Sequence, residues 1–206
     1  MPKPRFERLK QAKKDALRQE ITHVFNTQGY DKTTVSDIIS ATGMARGSFY
    51  AYYHDKLDVF MDLIQSVQQD KMAVMTPWLK QLGSIPFLEL FPEIARAGIR
   101  FAMDHPTQQA LGRLLYISND ADMRQLRQTI EKQGIAIYAG YIKQDQDAGY
   151  ITTAVEAETV ARLLYRFIAF DLLEAFYEQA GEEALMAMIE QTMRIIRYGI
   201  QKEGVS

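Results

Sequence analysis

Thr34–Lys56 reads TVSDIISATGMARGSFYAYYHDK, and the folding of this stretch decides how the rest of the chain is read. Thr34 with Asp37 three residues on is a capping-box-like start. Val35, Ile38, Ile39 and Thr42 then follow at i, i+3, i+4 and i+7, the spacing of one buried helical face. Gly43 stops that helix, because only glycine reaches positive φ without a Cβ penalty, and the chain reverses sharply. Met44 and Phe49 fill the angle between this helix and the next. Facing outward on the second helix are Arg46, Gly47, Ser48, Tyr50 and Tyr52: a cation, a hydroxyl, two phenols and a position with no side chain. A DNA groove is read by that mixture, so the spacing predicts a helix-turn-helix over about residues 34–53.

The chain has 206 residues, 47% hydrophobic and 24% charged, ordinary for a soluble globular protein with a substantial core. Apolar stripes at helical period recur along its length and strand-like alternation is nearly absent, so an all-α fold is expected. Zero cysteines exclude disulfides, Cys-ligated zinc and thiol chemistry. Without an 18-residue apolar run or the apolar core of a signal peptide, a cytoplasmic protein with no membrane partner is expected. The net charge of −2 is unevenly spread. Residues 1–60 carry ten Lys/Arg against seven Asp/Glu, and residues 61–206 carry fourteen against nineteen. Lys3, Arg5, Arg8, Lys10, Lys13 and Lys14, opposed only by Glu7, form a positive arm ahead of the helix-turn-helix, where phosphate would lie.

The segment Arg46-Gly47-Ser48-Phe49-Tyr50-Ala51-Tyr52-Tyr53-His54-Asp55-Lys56 resembles the DNA-binding signature of TetR-family transcriptional regulators, in the subset with an RG-x-x-Y-x-x-F/Y-x-x-K recognition segment. The likeness continues upstream through Ala16, Ile21, Phe25, Gly29 and Tyr30 and downstream to Leu57, Phe60 and Leu63. By position in that motif, the resemblance implies that Tyr50, Tyr52 and Lys56 contact phosphate and that Arg46 and Ser48 read base edges. Gly47 would allow close backbone approach, and Thr34 would cap its helix beside a phosphate. Lys3, Arg5, Ser36, Ala45 and His54 complete the candidate DNA-facing set. Ala45 departs from the pattern, where a Ser or Thr commonly caps the recognition helix; the missing cap costs about 1 kcal/mol. Tyr53 replaces the usual Phe, and its hydroxyl is expected to need an exit to solvent.

A division into residues 1–60, for DNA binding, and 61–206, for effector binding and dimerisation, is expected. A first helix from about Phe6 to Gln28 buries Ala16, Leu17, Ile21, Val24 and Phe25 and stops at Gly29. A connector helix starts near Asp55 and ends near Pro77. Turn signals then bound helices of about Pro92–Met103, Thr107–Ile117, Asp122–Asp147, Val155–Gln179 and Glu182–Gln201, with Thr153 and Glu156 as a capping box.

The helix over Val155–Gln179 carries two apolar stripes. Val160, Ala161, Leu164, Ile168, Leu172 and Ala175 make one, and Leu163, Phe167, Phe170, Leu173 and Phe176 the other. A helix apolar on two sides buries both, one of them against something else. A two-fold homodimer, which the resemblance also implies, satisfies this through Val160, Leu164, Phe167, Ile168, Leu172, Phe176, Met188, Ile189, Met193, Ile196 and Ile200.

The resemblance further implies an effector pocket. Its candidates are Trp78, Phe91, Phe101, Met103, Tyr116, Met123, Tyr138 and Tyr165, with Arg96, Arg100 and Asp171 as polar groups; Met and aromatic residues at helical spacing are also ordinary core. Arg100 and Arg166 equally suit surface ion pairs with Asp104 and Glu174. The partners expected are a near-palindromic double-stranded operator, a second copy of the chain and a small, mostly apolar ligand that releases a repressor. No metal or other cofactor is expected. An enzyme would need a reactive constellation, and the sequence has three scattered His, no HExxH, no GxSxG and no glycine-rich phosphate loop. A helical interaction module without DNA binding is the other alternative.

Overall fold

The computed structural model describes residues 2–199, and helices carry nearly all of its regular structure; an isolated bridge joins Leu82 and Ile85. Packing groups the chain into two compact units. The first runs to Ala73 and adds Ala102–Thr129; the second holds Val74–Phe101 and the chain from Ile130 onward. The expected division at residue 60 follows chain order, whereas packing groups a distant segment with the first 73 residues.

In the first unit, α1 (Pro4–Glu7) and α2 (Gln11–Gln28) stand where one helix from Phe6 was expected. Pro4 opens α1 at a position whose missing N–H costs nothing. Lys10, with ψ 142°, breaks the helix before α2 begins. Leu17, Ile21, Val24 and Phe25 are buried as expected, but Ala16 is exposed. Gly29, at φ 77°, ends α2. Then come α3 (Val35–Thr42), α4 (Arg46–Tyr52) and α5 (Lys56–Leu79), the last ending two residues beyond Pro77, near where it was expected to end. Phe25, Tyr30 and Phe60 form an aromatic knot with ring centroids 5.1 to 5.8 Å apart. From the distant segment, α7 (Pro106–Ile117) packs on α2 and buries Leu111, Leu114 and Leu115. Two side chains tie it down: Asn26 donates to the Thr107 carbonyl (2.9 Å), and Ser118 donates to Asp31.

The second unit takes most of α6 (Phe87–Asp104), the later part of α8 (Ala121–Asp147), α9 (Ala157–Arg166), a π-helical turn over Phe167–Leu172, α10 (Leu173–Tyr177) and α11 (Glu182–Tyr198). The start of α6 was expected at Pro92 but lies five residues earlier, because the buried Asp145 carboxylate caps the Phe87 N–H at 2.6 Å. The capping box of Thr153 and Glu156 does not form: Glu156 is the N-cap and makes no side-chain cap bond. Nor is the helix expected over Val155–Gln179 uniform, since the π-turn interrupts it. Phe87 and Phe91 are buried in this core and the partly buried Tyr138 and Tyr141 pack against them, with ring centroids 5.3 to 6.0 Å apart. Among the described residues no helix is long and apolar enough to cross a membrane.

Candidate nucleic-acid interface

The corner between α3 and α4 is built by local chemistry. The Thr34 hydroxyl accepts the Asp37 N–H (3.2 Å), and the Asp37 carboxylate accepts the Thr34 N–H (2.8 Å) and hydroxyl (2.6 Å). These bonds favour the charged carboxylate and hold the Asp37 pKa below its ordinary value. Gly43, at φ 61°, makes the turn. Ala45 is the N-cap of α4 and contributes no side-chain bond there. Phe49 is fully buried and turns α4 so that its opposite face looks out. Ala45, Arg46, Gly47 and Tyr50 are exposed, and Ser48 and Tyr52 are half-buried. The Arg46 guanidinium lies 5.8 Å from the centre of the Tyr50 ring, so the two form one exposed cationic–aromatic pair. A methyl group added at Gly47 would meet nothing within 4 Å. The fold itself thus leaves that position open to an approaching surface.

Beneath α4 is a network that the sequence did not disclose. Tyr53 is fully buried and, instead of reaching solvent, donates its hydroxyl to Asp62 at 2.9 Å. Arg18 grips the same carboxylate through two nitrogens, at 2.6 and 3.1 Å, and lies 5.5 Å from the centre of the Phe6 ring. Its hydrogen bond to Asp62 raises the Arg18 pKa. Burial, then the Asp62 charge, raises that of Tyr53, so the phenol remains a donor. One carboxylate therefore ties α2, α5 and the end of α4 together. An aspartate within the otherwise apolar Val59–Ile64 run was the only signal of it.

Other candidate contacts are spoken for within the chain. The Lys56 ammonium donates to the Tyr30 carbonyl (2.8 Å) and lies 4.2 Å from the centre of that ring. Lys3 bonds to the end of α4 through both its backbone and its side chain. The exposed His54 gives its N–H to Asp58 at 3.0 Å. Thr34, Ser36 and Arg5 are exposed.

Residues 17–63, which span α2 to α5 and the network beneath them, match the family model of bacterial regulatory proteins, tetR family. Over these residues the chain is similar to that family's regulators. The HTH-type transcriptional repressor BepR of Brucella suis biovar 1 is 23% identical over 177 residues, 84% of this chain and 85% of its own. Other curated relatives are matched over about half of their length. The fold is shared with solved structures. One is a complex of SmeT with triclosan, at a TM-score of 0.75 and 14% identity, covering 95% of this chain and 97% of that one. Another is the Bacillus subtilis regulator FadR with stearoyl-CoA, at 0.68 and 17%, covering 91% and 99%.

The expected effector residues are divided between the two units. Phe91, Tyr138, Tyr165 and Trp78 belong to the second unit's apolar cluster. Burial, then the neighbouring Tyr141, pushes the Tyr138 phenol up to about 12. Phe101 is buried and Asp171 exposed in the same unit. Arg96 and Arg100 turn to the surface and pair with Glu182 at 3.7 and 2.9 Å. Arg166 pairs with Glu131 at 3.4 Å, so neither Asp104 nor Glu174 is the partner of Arg100 or Arg166 in these bonds. Met103, Tyr116 and Met123 fall in the first unit, with Met123 fully buried. That unit has an open cleft of ≈ 490 Å³ lined by Asp15, Arg18, Thr22, Asp70, Asp104 and His105 among others, and none of the expected effector residues borders it.

For dimerisation, burial separates the two apolar stripes. Leu164, Leu172, Ile189 and Met193 are buried in the second unit's own core, so a partner would have to unpack the subunit to touch them. Val160, Phe167, Ile168, Phe176, Met188 and Ile196 are partly buried against the same core, and Ile200 lies outside the described residues. Exposed apolar side chains of this unit include Leu163 (60%) and Phe170 (47%), from the second stripe, and Ile195 and Tyr198 on α11, besides Ile137, Tyr150 and Val155.

Proposed function

We propose that this chain is a sequence-specific DNA-binding transcriptional repressor, acting as a homodimer and released from its operator by a small, mostly apolar ligand. The exposed Arg46–Tyr50 pair beside the open Gly47 carries this reading, within a domain of TetR type. Arg46 and Ser48 read base edges, Tyr50, Tyr52 and the Thr34 end of α3 meet phosphate, and Gly47 admits the backbone. Two such helices about 34 Å apart read a near-palindromic site.

The exposed Leu163, Phe170, Ile195 and Tyr198 support a second copy as the partner of the second unit. Relatives with unlike ligands, triclosan in one and stearoyl-CoA in another, support an apolar effector. Such a ligand acts by binding one spacing of the two reading helices better than another.

The test is operator binding by fluorescence anisotropy, with DNA upstream of the chain's own gene, across a salt series. Phosphate contacts give a slope of about −0.9 per contact in log K against log salt. A flat line, or equal affinity for an unrelated duplex, would refute the reading. Equal operator affinity with and without a saturating ligand would refute its regulatory half.

A further inference from the structure

α4 is only seven residues long, and its N-cap, Ala45, offers no side-chain acceptor. A helix this short is not stable by itself; neighbours must hold both ends. At its C-terminal end the final carbonyls lack intrahelical partners and carry partial negative charge. The Phe49 carbonyl accepts the Tyr53 N–H at 2.9 Å. Two more are satisfied by one distant residue. The Lys3 N–H donates to the Tyr52 carbonyl at 2.7 Å, and its ammonium donates to the Tyr50 carbonyl at 2.7 Å. Three residues on, Phe6 is fully buried and packs against Tyr52 and Tyr53, with centroids at 5.8 and 5.0 Å, under the Arg18 guanidinium. Pro4 between them fixes the turn that lets the backbone of Lys3 and the ring of Phe6 reach the same helix.

The geometry points to Lys3 as a positioning residue for DNA reading: its main chain and ammonium hold the C-terminal end of α4, and Phe6 anchors the strap. The inference rests on the reading of α4 as the DNA-reading helix. It reassigns Lys3, which the charge pattern alone placed against phosphate. A cation at a helix C-terminus opposes the negative end of the dipole and caps a carbonyl with one group. Its consequence is reach: the side chains of Ser48, Tyr50 and Tyr52 are presented at an angle set by residues more than forty positions earlier.

The test compares wild type with Lys3→Met in the full chain. Hydrogen exchange without DNA comes first; exchange at the Phe49–Tyr53 amides should accelerate in Lys3→Met while α2 and α5 stay as in wild type. Unchanged exchange there overturns the inference, whatever the chain does with DNA. Operator affinity should fall about tenfold, with the slope of log K against log salt kept, because no phosphate contact has been removed. A slope reduced by about 0.9 would make Lys3 a phosphate ligand and overturn it, as would unchanged affinity. Absence of salt-dependent binding in wild type would refute the reading of α4 as a DNA reader, and the exchange result would still decide whether Lys3 holds the helix.

Discussion

Asp62 joins three helices of the first unit through one carboxylate. Its side chain is 3% exposed and serves both Arg18 and Tyr53. Removing one member of a buried pair strands the other charge, so Asp62→Ala should cost about 3 to 5 kcal/mol. Tyr53→Phe leaves the ion pair intact and should cost about 1.5 to 3 kcal/mol, one hydrogen bond to a charged acceptor. Urea unfolding of the two variants checks the order; a Tyr53→Phe protein less stable than Asp62→Ala would contradict it. At Asp37 the prediction concerns pH. Its carboxylate pKa is depressed by the Thr34 bonds, so the cap contributes stability above the unfolded value near about 4 and loses it as pH falls through the folded value. The stability of wild type should therefore approach that of Asp37→Ala on acidification, in melts collected from neutral to acid pH. A constant gap would mean that the carboxylate does not act through its charge.

Among the elements, α4 and α8 show how local and distant chemistry divide the work. α4 lacks an N-cap side chain at Ala45, whose φ of −67° and ψ of 146° suit a serine. Ala45→Ser should add about 1 kcal/mol, read as a raised melting temperature. In α8, two glycines that look alike in sequence have opposite roles. A methyl group at Gly134 would lie 2.2 Å from the Tyr165 ring, whereas one at Gly140 would meet nothing within 4 Å. Gly140→Ala should stabilise by about 0.5 to 1 kcal/mol through helix propensity. Gly134→Ala must displace the Tyr165 ring and should destabilise by about 1 to 3 kcal/mol. Chemical denaturation of the pair, one variant gaining and one losing, is the measurement. Capping at Thr34 and the Gly43 turn were legible because every group involved lies within ten residues. The break between α1 and α2, the shortening at Ala157 and the π-turn were not, since helical periodicity registers a face and is blind to a one-residue change in winding.

For the whole molecule, association is the testable matter. Leu163 and Phe170 lie outside the chain's own core, so Leu163→Arg with Phe170→Arg should leave the folded subunit intact while abolishing dimers. Sedimentation velocity reads the mass, and far-UV circular dichroism checks the fold. A double variant that still sediments as a dimer would place the interface elsewhere. Operator affinity should fall in parallel, because a lone reading helix has only one half-site.

The sequence by itself determined the helix-turn-helix, its outward residues Arg46, Gly47 and Tyr50, the all-α class and the presence of two apolar stripes between Val155 and Gln179. Each depends on groups within a few turns of one another, where spacing translates directly into facing. Tertiary structure decided the rest. It placed α7 beside α2, matched Tyr53 to Asp62 and Arg18, moved Lys3 from an open arm to the end of α4, and chose Leu163 and Phe170 to remain exposed. Those choices rest on contacts between residues far apart in the chain, and a one-dimensional pattern carries the demand for such a partner without naming it.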